Sequence, residues 1–223
     1  MISNELFKRI LTSFLLIVLI FFLVIINIYI FLLGLVTISS ICFFEWNNLN
    51  AKHFSKKKKN LMPIVRFFGL FYLLIFIISS YILYDYFGPY YYVFILTICA
   101  SSDIGGYIIG RTIGGIKLTK ISPNKTASGS LGSFIFSLIP ILLLSLQDYF
   151  FLDFHISLIN ILLCLFISLS CQLGDLIISF FKRLNKVKDT GKILPGHGGL
   201  LDRIDGIIFA VPAFLILQLT LTL

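Results

Sequence analysis

Long apolar stretches alternate with short polar breaks along the whole of this 223-residue chain. Their lengths predict helices near 9–26, 28–45, 63–83, 89–110, 129–147, 155–178 and 204–221. The first two come from one uncharged run, Ile10–Phe44, which as a single helix would extend about 52 Å at 1.5 Å per residue. A bilayer's hydrocarbon core is only about 30 Å thick, so two short spans with a tight turn near Asn27 fit better. The expected fold is all-α: a polytopic membrane helical bundle with about seven transmembrane helices. No internal repeat is visible, so an inverted-repeat transporter has no support.

Composition agrees with that class. Hydrophobic residues make up 58% of the chain and charged residues 13%, and the mean hydropathy is +1.02. A soluble domain carries about 25% charged residues. The first apolar run follows Lys8 and Arg9, but it is too long for a signal-peptide core and lacks a small-residue cleavage site, so it reads as a retained span. Cys42, Cys99, Cys164 and Cys171 all fall in apolar segments with no Cys-x-x-Cys pair. They are expected to be buried packing residues, and a structural zinc site is not expected.

The net charge of +8 is placed rather than spread. The break at Asn47–Asn60 holds Lys52 and Lys56–Lys59, Arg111–Lys125 holds four cations, and Ser179–Arg203 is basic again. Tyr84–Pro89 and Gln147–Asp153 carry only acids: Asp85, Asp148 and Asp153. Short basic loops stay in the cytoplasm, which puts the three basic breaks and the N-terminus inside and the C-terminus outside. Lys56–Lys59 is read as a topology signal; without aromatic interleaving or a folded basic domain, nucleic acid is not an expected partner.

Candidate chemistry collects in two of the basic regions. Asp103 lies inside an apolar run, where a carboxylate is tolerated only beside a polar cavity or partner. Gly105, Gly106 and Gly110 follow at a spacing suited to close helix packing. In Ser122-Pro123-Asn124-Lys125-Thr126 the proline fixes a turn, and Lys125 then precedes a helix start, a placement suited to phosphate. The strongest region runs from Ser179 to Asp205. Asp175 ends the preceding apolar stretch, and Asp202 and Asp205 share a helix face three residues apart, so the three could form an all-carboxylate site for Mg²⁺. Lys182, Arg183, Lys188 and Arg203 could neutralise phosphate oxygens, and the glycines around His197 could let backbone approach a ligand. A plainer reading pairs Asp103 with Arg111, Asp175 with Lys182, and Asp202 and Asp205 with Arg203.

Gln172–Asp175, Lys182-Arg183, Lys188-Asp189, Leu194–Gly199 and Leu201–Asp205, with the gaps between them, resemble the C-terminal signature of the phosphatidate cytidylyltransferases, the CDP-diacylglycerol synthases. Ser101–Lys125 is similar to a second block of that family, and Phe44-Glu45-Trp46 resembles a weaker N-terminal one. Ala127 and Ser128 stand where members often carry an aromatic residue and an acid, and the stretch between Lys59 and Asp103 is shorter than in many of them.

The resemblance implies a Mg²⁺-dependent enzyme of phospholipid biosynthesis in the inner membrane, with its site facing the cytoplasm. It would make CDP-diacylglycerol and pyrophosphate from CTP and phosphatidate. A second cation and a homodimer are further expectations. On this reading residues 1–62 form an N-terminal transmembrane hairpin and basic cytoplasmic loop. Residues 63–223 form the catalytic transmembrane domain, with cytoplasmic loops 111–128 and 179–203. Asp175, Asp202 and Asp205 would bind the metal, with Lys125, Lys188 and Arg203 on the phosphates. Asp103, Ser122, Thr126, Lys182, Arg183, His197, Gly198 and Gly199 would contact the nucleotide or its cation. No protein nucleophile is needed, because a phosphatidate oxygen is itself an anionic nucleophile; positioning and charge neutralisation remain. Two rivals stay open: a CTP-dependent polyprenol or lipid kinase, and a non-enzymatic transporter or scaffold.

Overall fold

The computed structural model describes residues 15, 18–57, 59–119, 122, 125–146, 156–194 and 198–222, with the side chains of 52–59 excepted. Among them the chain is helical, with no strand beyond two isolated bridges. The helices are α1 (18–26), α2 (Ile28–Lys57), α3 (Met62–Phe87), α4 (Pro89–Thr112), α5 (Ala127–Phe136), α6 (Ile139–Ser145), α7 (Leu158–Leu184) and α8 (Leu201–Thr222). Six helical stretches among the described residues are long and apolar enough to cross a membrane. The chain is a multi-span, all-α membrane protein. The expected first span, 9–26, is described only at its C-terminal end. Lys120, Pro123, Asn124, Asp148, Asp153 and Pro195 to His197 lie outside the described residues.

The helix ends have local causes. The Asn27 side chain accepts the Tyr29 N–H at 2.9 Å, capping α2 where the turn is expected. Leu23 then lies close against Gly34, so α1 folds back along α2. The polar stretch expected as a loop after residue 45 is mostly helix: no Gly or Pro interrupts Trp46–Lys57, and α2 continues until a 3₁₀ turn, Lys59–Leu61, ahead of Pro63. Gly88, at φ 86°, ends α3, and Pro89 takes the first position of α4, where its missing N–H costs nothing. The span expected at 129–147 is broken into α5 and α6 at Ser137–Leu138. Pro140 cannot donate to Phe136, and its ring crowds that carbonyl.

The fold divides into two compact units. One is formed by Met1–Asp85 with Phe181–Ile204. Its centre is Trp46, whose indole donates to the Val65 carbonyl at 2.9 Å, meets the Phe181 ring edge-on at 4.6 Å, and lies over Gly69. Phe67, Phe68 and Phe71 face outward, as suits a lipid-facing surface of α3.

The other unit is formed by Tyr86–Phe180 with Asp205–Leu223. Ile95, Ile98, Cys164, Ile167, Cys171, Val211 and Phe214 fill its interior; all four cysteines are buried and reduced, as expected of packing residues. Its closest helix contact is α4 on α5, glycine against glycine. An ideal Cβ on Gly132 would stand 2.5 Å from the Ile109 Cβ and 2.7 Å from the Gly105 carbonyl oxygen. One on Gly129 would stand 2.9 Å from the Gly106 oxygen. The glycines read from the sequence as packing residues therefore do pack, and they bring the two helix backbones together.

That crossing generates the first prediction. Gly132→Ala should lower stability by on the order of 1–3 kcal/mol, because the clash is with backbone and a β-branched stem that cannot swing away. The unfolding midpoint in detergent measures it; an unchanged midpoint would mean that the two helices do not cross here.

Candidate active site

The C-terminal signature begins where α7 stops. Lys186 takes a left-handed conformation, φ 55°, and the N–H groups of Lys186 and Val187 return to the carbonyls of Arg183 and Lys182, each at 3.0 Å. The described residues between the two helices, 185–194 and 198–200, are irregular, and the first N–H groups of α8 have no acceptor within the helix. A residue far away in sequence supplies one. Glu45, on α2 and buried, accepts the Leu200 N–H on Oε1 at 3.0 Å and the Leu201 N–H on Oε2 at 2.8 Å. The Thr190 hydroxyl lies 3.2 Å from the same Oε2.

Asp202 does related work from α8 itself. Its Oδ1 meets the Lys182 ammonium at 2.8 Å, and its Oδ2 accepts the N–H groups of Thr190 at 2.7 Å and Gly199 at 3.1 Å. Thr190 Oγ1 stands a further 3.0 Å from Oδ2, so one hydroxyl bridges two carboxylates. Lys182 and Asp202 are 11% and 6% exposed, which makes this a buried ion pair whose carboxylate also accepts from Thr190 and Gly199. Gly191 and Gly199 leave room for Glu45: a Cβ on either would come within 2.5 Å of its carboxylate. Gly198, at φ 86°, needs the left-handed region and accepts the Leu194 N–H at 2.9 Å. Arg183, Lys188 and Arg203 are exposed.

The second constellation lies in the other unit. After α4, Gly114 and Gly115 turn the chain with positive φ, and the loop closes through the Leu118 N–H on the Lys125 carbonyl at 2.8 Å. The Lys125 N–H donates to the Ser122 carbonyl at 3.0 Å, and Thr126 caps α5 by accepting the Gly129 N–H at 3.1 Å. Ser128, where a family acid is often found, donates instead to the Gly114 carbonyl. Held this way, the Lys125 ammonium reaches Asp175 Oδ2 on α7 at 2.5 Å, and Ser179 donates to Oδ1 at 3.2 Å. The pair is half-buried, with side chains 27% and 33% exposed, so it is both strengthened by partial desolvation and open to a ligand.

The backbone of Asp205 crosses α7 closely at the residue before Asp175: a Cβ on Gly174 would meet the Asp205 carbonyl at 2.6 Å. Asp205 turns its own Oδ1 to the Gly206 N–H at 2.9 Å. Asp103, exposed on α4, is the acceptor for the Cys171 thiol at 3.9 Å. Arg111, the partner the plainer reading gave it, bonds Tyr107 at 2.6 Å instead. A polar ladder crosses this unit from Ser130 to Gln172 at 2.6 Å, Gln172 to Ser168 at 3.2 Å, and Ser168 to Ser102 at 2.8 Å.

Of the three expected carboxylates, Asp175 meets Lys125, Asp205 starts from the backbone crossing at Gly174, and Asp202 lies in the buried cluster. Among the described residues no three His, Cys, Asp or Glu side chains gather at one point. Lys182 pairs with Asp202 rather than Asp175, whose partner is Lys125. Glu45, Thr190 and the serine–glutamine ladder were missed as working residues. For Glu45 a signal existed: it is a lone acid next to a long uncharged run, the argument that singled out Asp103. Thr190 and the serines carry no such mark.

Removing Asp202 tests the cluster. Asp202→Ala would strand Lys182 and two N–H groups, and should destabilise the protein by about 3–5 kcal/mol. Trp46, the only tryptophan of the chain, reports the unfolding through its emission. A loss below about 1 kcal/mol would contradict the buried pair.

Comparison with known proteins bears on both constellations. A model of the cytidylyltransferase family matches residues 54–221, which include Lys125, Asp175, Asp202 and Asp205. A phosphatidate cytidylyltransferase of Staphylococcus haemolyticus is 45% identical over 133 residues, 58% of this chain and 49% of that protein. Those of Staphylococcus saprophyticus and Staphylococcus aureus are 45% and 44% identical over 132 residues, with the same shares covered. The chain spans about half the length of these relatives. Matched over about three-quarters of its residues, this chain belongs to the cytidylyltransferase family.

Proposed function

We propose that this protein transfers a cytidylyl group from CTP to phosphatidate, giving CDP-diacylglycerol and pyrophosphate for phospholipid biosynthesis. A phosphatidate oxygen would attack the α-phosphorus, and the bond from that phosphorus to the bridging oxygen of pyrophosphate would break. The observation that carries this reading is the Lys125–Asp175 contact at 2.5 Å. It unites two sequence blocks 50 residues apart into one half-exposed site of cation and carboxylate, beside the Asp205 crossing. A reaction between two polyanions needs that combination.

The protein's own groups have distinct tasks in this reading. Lys125 would turn from Asp175 onto the triphosphate, a displacement of one charged contact by another. Lys188 and Arg203, both exposed, would take further phosphate oxygens, with Lys182 held back by Asp202. Gly199 already donates its N–H to Asp202, so the glycine loop would serve the nucleotide by its shape more than by that N–H. His197, outside the described residues, would contact the nucleotide.

Magnesium belongs to the same proposal. The donor chemistry fits: Asp175 and Asp205 offer hard oxygens from α7 and α8, and Mg²⁺ is commonly held by one or two carboxylates, with waters and substrate phosphates completing its shell. Asp202 fits less well, because its side chain is only 6% exposed and tied to the buried Lys182, whereas Asp175 is 33% exposed. Bound at Asp175 and Asp205, the ion would neutralise charge developing on the leaving pyrophosphate. The reading also sets the site at the cytoplasmic face of the inner membrane, where CTP is available, with a homodimer as an expected assembly.

Three measurements test it. Purified protein with phosphatidate and Mg²⁺ should move label into lipid from CTP labelled in the cytidine and not from CTP labelled at the γ-phosphate; the reverse result would favour the kinase. Lys125→Gln should lower kcat/KM for CTP by roughly 30- to 1000-fold, about 2–4 kcal/mol, with Lys125→Arg recovering only part. A Gln variant within about threefold of wild type would remove Lys125 from the reaction. Single cysteines placed at Ser122 and Asp85 in a Cys-less background should label from inside and outside respectively; labelling of position 122 by an impermeant reagent from outside would reverse the orientation.

A further inference from the structure

We infer that Glu45 is a positioning residue, a clamp that sets Thr190, Gly199 and the first turn of α8 in one geometry. The inference rests on the cytidylyl-transfer reading for its catalytic consequence, and on contacts alone for the clamp. Glu45 lies upstream of residue 54, where the family match begins, yet its carboxylate sits at the centre of the matched C-terminal signature.

Three donors converge on it from two stretches of that signature: the Leu200 N–H, the Leu201 N–H and the Thr190 hydroxyl. Gly191 and Gly199 close over the same oxygens so tightly that a methyl group on either would overlap them, so water has no place there. Thr190 carries the clamp to Asp202, 3.0 Å away, and Asp202 carries it to Lys182. One residue of α2 thus connects both ends of the loop and, through the α8 backbone, the exposed Arg203.

Chemistry explains why the group is a carboxylate. A helix N-terminus offers several unpaired N–H groups and a positive potential, which makes it a natural phosphate site. At α8 that site is occupied by the protein's own anion. Phosphate is therefore directed away from the helix terminus and toward the exposed side chains of Lys188 and Arg203, the latter on the turn of α8 that the clamp holds. A glutamine in place of Glu45 would have the same size but would turn an NH₂ group toward one of the N–H donors, opening the clamp while leaving the volume filled.

The experiment compares full-length Glu45→Gln and Glu45→Asp with wild type in detergent, using Trp46 emission to confirm folding. Hydrogen exchange at the Leu200 and Leu201 amides is read first. Exchange there should accelerate at least tenfold in the Gln variant while the α7 segment 163–171, in the other unit, is unchanged. Transfer from labelled CTP to lipid should fall at least tenfold, mainly in kcat, and Glu45→Asp, which keeps the charge on a shorter stem, should recover part of it. Unchanged exchange at the two amides overturns the clamp. Faster exchange with turnover within about twofold of wild type overturns its part in the reaction. If Glu45→Gln does not fold, Gly199→Ala opens the clamp from the loop side, where its Cβ would meet Thr190 Oγ1 and Glu45, and the same two outcomes decide. Absence of transfer in wild type would instead count against the cytidylyl-transfer reading, and the exchange measurement alone would then decide on the clamp.

Discussion

An ionised carboxylate in an apolar helical bundle persists only where donors surround it, and the charged part of this protein is arranged around that constraint. Glu45 and Asp202 are nearly inaccessible to solvent, so each must be met by protein groups. The donors come from a place that equally needs acceptors, the irregular stretch between α7 and α8 and the uncapped start of α8. Two deficits cancel: buried anions lacking donors, and backbone N–H groups lacking acceptors. Thr190, Gly199 and the first turn of α8 are held together in this way.

The other unit solves a different problem by subtraction. Lys125 must reach Asp175 from a loop on a neighbouring helix pair, and the reach is short only because α4 and α5 cross through glycines. Without a hydrophobic driving force between helices in lipid, close backbone approach and buried hydrogen bonds such as the Ser130–Gln172–Ser168–Ser102 ladder hold such a crossing together. The resulting ion pair is neither as buried as Lys182–Asp202 nor as exposed as a surface bridge. Of the two pairs it is the one that stays partly open to solvent. The two ion pairs are thus separated by solvation, though their residue types are the same.

Much of this was decided by the sequence alone, for reasons that are local. Span lengths follow from apolar runs, the break at Asn27 from a run too long for one crossing, and the signature from residue order. These need no knowledge of distant neighbours. Helix ends were legible only where a residue forces them: Asn27, Gly88 and Pro89 did so, whereas α2 ran on past its apolar segment because no Gly or Pro stopped it. Pro140 breaking the fifth span was likewise present in the sequence, but hydropathy counts it as one more apolar position.

Tertiary structure decided which charges are partners, because pairing depends on separations of a few ångströms between residues far apart in the chain. Spacing made Asp175, Asp202 and Asp205 look equivalent; burial made Asp202 the acceptor of a buried lysine and two backbone N–H groups, and left Asp175 to Lys125. No periodicity could reveal that Glu45 would cap a helix starting more than 150 residues later. The sequence determined that the chain spans a membrane and where its charged residues fall. Only the fold, by excluding water from some carboxylates and not others, decided which of them are held in a buried pair and which stay partly open to solvent.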